Sequence, residues 1–277
     1  MNPVVFIASH IRYDGQLGRL TWCIENLLAQ EHVPAICVSI SLETSLYKQE
    51  FNNNVKQNYP TVNFHVQKKR FFQMEHMRFL FERYESQYDL ILFCDDDDTY
   101  APERVKLFCQ CAAQQPSVVC FLESIHGEDY KEYNEFWKYA VRPSLLRVFF
   151  ERVEKTPYLL QNLYSDVLLR CFLRHAPYAA GVVQTPTCLY QYDSYNPYSV
   201  CEVQFTTSNV DKSMYDSALM CAFHGSDNYE DAWCSSGGSM SLFRKLVPNY
   251  RQILQDVDRV LAKDTVSVAA FQAQSSS

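Results

Sequence analysis

Four consecutive carboxylates, Asp95, Asp96, Asp97 and Asp98, directly follow the apolar run Leu90-Ile91-Leu92-Phe93-Cys94. A five-residue run of this kind, apolar on both faces, reads as a buried central strand of a parallel sheet. Adjacent carboxylates repel one another, and the cluster is costly unless a cation or hydrogen-bond donors neutralise it. Open α/β sheets bind ligands outside the carboxyl ends of their strands, which is where this cluster falls. Strand alternation puts Asp95 and Asp97 on one side and Asp96 and Asp98 on the other. One or two of these carboxylates suit a hard divalent ion, Mn²⁺ or Mg²⁺, whose remaining positions substrate phosphates would fill. The bland alternative is a solvated acidic turn before the helix that Pro102 opens.

The elements around the cluster alternate. Val4 to Ala8 reads as a first strand, residues 16 to 30 as an amphipathic helix, and residues 35 to 41 and 62 to 66 as further strands. Residues 71 to 85 read as a helix, residues 90 to 94 as the fourth strand, and residues 118 to 122 as a fifth, after the Pro102 helix. The pattern predicts an α/β fold with an open, mostly parallel sheet flanked by helices. Residues 127 to 164 are aromatic and irregular, with at least one helix. Residues 166 to 174 read as helical, residues 182 to 192 as broken strands, residues 194 to 239 as loops, and the stretch carrying Leu246 to Leu261 as a last helix.

The run Leu92-Phe93-Cys94-Asp95-Asp96-Asp97-Asp98-Thr99-Tyr100-Ala101-Pro102-Glu103-Arg104 resembles the DxD segment of family-2-like glycosyltransferases of the GT-A (Rossmann-like) fold. In that family an apolar strand is followed by D-x-D-D, three variable residues and a helix-opening Pro. The resemblance covers residues 3 to 193. It implies a transfer of sugar from a nucleotide-sugar, UDP- rather than GDP-linked, to a glycan or other acceptor hydroxyl. It implies Asp97 as the direct metal ligand, Asp95 nearer the ribose or the metal, and Asp96 on the donor. It also implies a GT-A domain at residues 1 to 193, with a nucleotide-binding half to residue 122 and an acceptor half beyond. A helical and loop-rich extension follows at 194 to 271, with a disordered tail at 272 to 277.

Ser165-Asp166 opens a helix ending near Arg174, and Leu189-Tyr190-Gln191-Tyr192 follows as a strand. By the residues alone, Ser165 caps and Asp166 favours the positive end of the helix dipole. By the resemblance, Asp166 is the general base of an inverting enzyme, with Asp231 the runner-up. The loop after the first strand (Ser9, His10, Arg12) should lie beside the nucleotide. Glu43 stands after the second strand, where the family places an Asp, and His76 is a further donor-side candidate. Lys68-Lys69-Arg70 is either a diphosphate contact or a solvated basic turn, and Gln73, His76 and Arg78 cannot all face inward. The Ser235-Ser236-Gly237-Gly238-Ser239 loop, with His224 and Trp233, is either an acceptor-side lid or a plain turn.

Two other function classes compete. Asp95-x-Asp97-x-Thr99 after an apolar strand also fits the nucleophile motif of haloacid-dehalogenase-like phosphatases. A non-catalytic carbohydrate- or nucleotide-binding module is the third. The bulk numbers exclude more than they select. A net charge of −7 argues against nucleic acid as partner. Eleven scattered Cys without a CxxC pair imply a reducing, cytoplasmic setting without a disulfide frame or zinc site. A first strand at about Pro3 leaves no room for a signal peptide, and no apolar stretch is long enough to span a bilayer.

Overall fold

The computed structural model describes residues 1–125, 135–175, 181–192, 219, 222–223 and 248–262. Its centre is a seven-stranded sheet of order β3-β2-β1-β4-β7-β6-β8. The strands are β1 (Pro3–Ile11), β2 (Ala35–Leu42), β3 (Asn63–Val66), β4 (Leu90–Asp95), β6 (Cys120–Ile125), β7 (Tyr139–Val141) and β8 (Gly181–Thr185). β3, β2, β1 and β4 run parallel, so their carboxyl ends gather on one edge. β7 is antiparallel to both β4 and β6. A second sheet of two short strands, β5 (Thr99–Tyr100) and β9 (Tyr190–Gln191), sits beside that edge.

Strand alternation sorts the core into two layers. Val4 and Phe6 of β1 and Ile91 and Phe93 of β4 face the helices α3 (Gln73–Tyr84), α5 (Pro143–Val153), α6 (Ser165–His175) and α7 (Tyr250–Leu261). Val5 and Ile7 of β1 and Leu90, Leu92 and Cys94 of β4 face α1 (Gln16–Leu28) and α4 (Arg104–Gln114). A β4 that is apolar on both faces is therefore explained by a helix layer on each side. Leu219 and Phe223 join the first of these layers, and Arg152 Nη1 of α5 donates to the carbonyls of Val260 and Ala262, which ties the end of α7 to α5.

The α/β expectation holds, with local differences. The aromatic stretch after residue 127 contains β7, whose three residues are too few for a periodicity to register. The helix α2 (Ser45–Glu50), continued by a π-helical turn at Phe51–Lys56, lacks any long apolar stripe in sequence. The fifth expected strand forms later, as β6, and α4 starts two residues beyond Pro102. Among the described residues no helix is long and apolar enough to cross a membrane. The Ser235 to Ser239 loop, His224, Trp233 and the tail at 272 to 277 lie outside the described residues.

Candidate active site

The site is assembled where β1, β2 and β4 end. Asp95 is the last residue of β4, on the face of Ile91 and Phe93, and so points toward α3 and α6. Gln73, the first residue of α3, donates from Nε2 to Asp95 Oδ1 at 2.7 Å. The chain then turns, and the Asp98 amide donates to the Asp95 carbonyl at 3.3 Å. Simple alternation thus stops at Asp95, because residues 96 and 97 belong to a turn rather than to the strand. Asp96 accepts from Ser9 Oγ of β1 at 2.5 Å. Asp95, Asp96 and Asp97 are partly exposed, whereas Asp98 is buried and accepts from the Tyr190 hydroxyl at 2.7 Å.

The electrostatics are those of acids that repel one another. Burial, then repulsion from Asp98, Asp97, Asp166 and Asp96, holds the Asp95 carboxyl well above the usual range. Burial and Asp97 push Asp96 up to about 7, against the stabilising Ser9 hydrogen bond. Asp166 lies in the first turn of α6, close enough to raise Asp95 through its charge. Burial and Glu135 push Asp166 itself up to about 6, against the amides of Val167 and its own residue and the charge of Arg170. Arg170, one turn along α6, is drawn off by Glu135 at 2.6 Å. Ser165 is the first residue of α6 rather than its cap, and its hydroxyl is buried without a hydrogen-bond partner among the described residues.

On the neighbouring strand ends the charge is positive. His10, at the end of β1, has both ring nitrogens buried without a hydrogen-bond partner among the described residues, as is Arg12 Nε. Burial, then Arg70 and Arg12, lowers His10 to about 4, so its imidazole is neutral at pH 7. Burial and Arg12 also lower Arg70, while Glu43 opposes the shift. Arg70, read from sequence as part of a basic turn, therefore joins Arg12, His10 and Glu43 in one group. The Arg12 loop is held back on its strand by Gln16, whose Oε1 accepts from the amides of Arg12 (2.6 Å) and Tyr13 (2.9 Å). Gly15 makes that reversal possible with φ of 89°, a left-handed conformation costly for any residue with a Cβ. Glu43 donates its amide to the Ile11 carbonyl at 3.1 Å and leaves its side chain exposed.

His76, the further donor-side candidate, is buried under the ends of β2 and the loop before α3. It is 1% exposed, and its Nδ1 meets Ser39 Oγ at 2.7 Å and its Nε2 meets Ser41 Oγ at 3.2 Å. Ser39 Oγ accepts from Gln67 Nε2, so its proton goes to His76 Nδ1. Ser41 Oγ donates to the Lys69 carbonyl, so it accepts from His76 Nε2. The ring is the neutral Nε2–H tautomer, in keeping with burial and His10 lowering it to about 3. Both nitrogens are taken within the fold, and the network pins the loop that carries Lys69 and Arg70.

Sequence reasoning gave no role to Gln73 or Tyr190. Gln73 carries no sequence signal, since it reaches Asp95 across 22 positions. Tyr190 was legible only as part of the Leu-Tyr-x-Tyr pattern. Asp231 lies outside the described residues. Among the described residues no three His, Cys, Asp or Glu side chains converge on one metal position.

No protein-family model matches the sequence, and no curated protein matches it. Solved structures match it by shape. The S. aureus TarS fragment 1-349 in complex with UDP-GlcNAc superposes with a TM-score of 0.54 at 11% identity, over 94% of this chain and 84% of that one. The same fragment in complex with UDP gives 0.52 at 14% identity, over 99% and 92%. A longer TarS structure gives 0.55 at 13% identity, and this chain spans 50% of its length. With a mostly parallel seven-stranded sheet between two helix layers, the chain has the α/β fold of these TarS structures.

Proposed function

We propose that the chain moves a sugar from a nucleotide-sugar, UDP- rather than GDP-linked, to an acceptor hydroxyl, with inversion and with help from Mn²⁺ or Mg²⁺. The observation that carries this reading is the carboxylate turn at the end of β4, with Asp166 of α6 acting on the same Asp95. Mutually repelling acids fit a divalent ion, and one or two of them suffice when phosphate oxygens complete its shell. Asp97 would hold the ion, with Asp95 beside it. When bound, that ion supplies Lewis-acid stabilisation of the departing nucleoside diphosphate.

The chain's own residues do the rest. Gln73 and Ser9 orient the Asp95 and Asp96 carboxylates at 2.7 and 2.5 Å. His10 and Arg12 lie with Arg70 and Glu43 on the nucleotide side, where a neutral imidazole offers one donor and one acceptor to a polar ligand edge. Asp166 accepts the proton of the acceptor hydroxyl as its oxygen attacks the anomeric carbon and the bond to diphosphate breaks. A base at about 6 is mostly ionised at pH 7 while still a competent proton acceptor.

The phosphatase reading of Asp95-x-Asp97-x-Thr99 has less support. Thr99 is 3% exposed and gives its hydroxyl to Gln191 Oε1 at 3.1 Å, within the small sheet. The motif also ends the fourth strand of the chain rather than the first. Incubation with a panel of nucleotide-sugars and Mn²⁺ tests the proposal, with donor turnover expected. Phosphorylated Asp95, found by mass spectrometry after incubation with a phosphate ester, would overturn it.

A further inference from the structure

On the buried side of the carboxylate turn, one hydroxyl reaches both its first and its last residue. The Tyr190 hydroxyl of β9 donates its proton to Asp98 Oδ2 at 2.7 Å, and the Tyr190 hydroxyl oxygen accepts the backbone N–H of Asp95 at 3.1 Å. One donor and one acceptor role exhaust what a phenol offers most readily, and the two roles clamp the first and last residues of the turn. Tyr190 is itself heavily constrained. It is 2% exposed, and its ring stacks on Trp137 with centroids 4.0 Å apart and planes 17° from parallel. Its backbone pairs with Tyr100 of β5, the strand that leaves the turn.

Behind Tyr190 stands an ion pair with no exposure to solvent. Arg104 Nη1 and Glu123 Oε2 meet at 3.0 Å with side chains 0% and 1% exposed. The guanidinium lies over the rings of Tyr100 and Tyr190, 4.4 and 4.9 Å from their centroids, and donates to the Trp137 carbonyl at 2.6 Å. Glu123 Oε1 accepts the amides of Leu189 (2.5 Å) and Tyr190 (3.3 Å). A buried ion pair contributes little net stability over an apolar replacement, because desolvation offsets attraction. What it does supply here is a fixed position for β9, reached from α4 and β6 at once.

We propose that Tyr190 is a positioning residue for the metal-and-donor carboxylates, holding the Asp95 to Asp98 turn in a single shape, with the Arg104–Glu123 pair holding Tyr190 in register. The role rests on the transferase reading: a turn carrying Asp95 and Asp97 grips an ion and diphosphate only if both carboxylates are presented together. The chemistry needs no titration of Tyr190, whose hydroxyl stays protonated because burial, then Cys94 and Asp95, raise it well above its ordinary range.

Tyr190→Phe removes the hydroxyl and keeps the ring on Trp137. In the metal-free protein, amide exchange across residues 94 to 98 should quicken, because the Asp95 N–H loses its acceptor. Calorimetry with UDP should show Mn²⁺ half-saturation raised by roughly 10–100-fold, the range for loss of a group that orients a metal's ligands. A merely structural tyrosine would lower the melting temperature and leave both readouts alone. A folded Tyr190→Phe with native exchange and native Mn²⁺ half-saturation overturns the proposal while leaving the transferase reading standing. Absence of metal-dependent UDP binding by the native chain overturns both, and is told apart because that arm uses no variant. Should Tyr190→Phe yield no folded protein, 3-fluorotyrosine at position 190 replaces it. Its weaker oxygen acceptor should loosen the Asp95 amide, and native exchange there would equally overturn the role.

Discussion

Two polar clusters sit at the same edge of the sheet, and they are built in opposite ways. Around His76, a donor and an acceptor meet at every contact. Gln67, Ser39, His76, Ser41 and the Lys69 carbonyl form a chain in which each proton has one place to go. Around Asp95 burial and repulsion among neighbouring acids raise Asp95 and Asp96, and burial and Glu135 raise Asp166. The first cluster is complete without a ligand and stabilises the fold. The second is stabilised by adding a cation or removing charge. The difference teaches that residue type near a strand end is a poor guide to function, and that the balance of donors, acceptors and charges is a better one.

The sharpest break of that contrast is Asp97→Ala. If the acid turn serves an ion and a diphosphate, transfer should fall by at least ~10²-fold, equivalent to several kcal/mol of lost transition-state stabilisation. The melting temperature should hold or rise, because one repelling charge is gone. Calorimetry with a nucleotide-sugar, with and without Mn²⁺, is the check, and full metal-independent binding by the variant would sink the metal bridge.

Asp166→Asn separates chemistry from helix electrostatics within the same cluster. Asn keeps the size and much of the hydrogen bonding of Asp in the first turn of α6 and loses only its charge, so stability and donor affinity should hardly change. Transfer should nonetheless fall by ~10² or more if the proton acceptor is lost. Near-native rates would remove Asp166 from the mechanism, and a product with retained anomeric configuration would undercut the need for any base.

His76→Ala probes the complete cluster and should give the reverse pattern. Ser39 and Ser41 lose the ring between them, so unfolding by urea should show a loss of roughly 1–3 kcal/mol. Folded protein should still bind UDP, with affinity reduced only so far as the Lys69 and Arg70 loop loosens. Unchanged stability with abolished nucleotide binding would reverse the assignment of the two clusters.

The smallest effect is in pH. Acids whose folded values are raised above about 4 bind protons better folded than unfolded, so their contribution is present at low pH and lost as pH rises through the folded value. His10 and His76 act oppositely: their lowered values favour the folded state above about 6.5, and that contribution fades as pH falls toward 4 and 3. Above about 6.5 the histidines are neutral in both states, and only the acids remain. Melting of the metal-free protein should therefore decline modestly as pH rises through about 7, where Asp96 ionises. Asp96→Asn should flatten that decline, and Mn²⁺ with UDP should reverse it. A slope unaffected by either would mean that the acid turn is not strained by its own charge.

Much of this molecule was legible along the chain. The alternating elements of the first 122 residues, the double-sided apolarity of β4 and the acid run that ends it are local patterns. A local pattern survives in sequence because neighbours in the chain are neighbours in space. β9 falls within the strand expected at Leu189 to Tyr192, but β5 and β7 were not legible, because strands of two or three residues carry no period and their partners β9, β4 and β6 are distant in the chain. The surroundings of His76 met the same limit from the other direction. Its residue type and position were visible, but its two serine partners lie 35 and 37 positions away, and only packing α3 on β2 brings them together. Tyr190 is the extreme case, 95 positions from the amide it accepts. The sequence by itself determined that four acids end a buried strand of an α/β sheet. Only the tertiary structure decided which of them face solvent, which are tied down, and which helix brings Asp166 to meet them, because hydrogen-bond balance and charge proximity are properties of the folded chain.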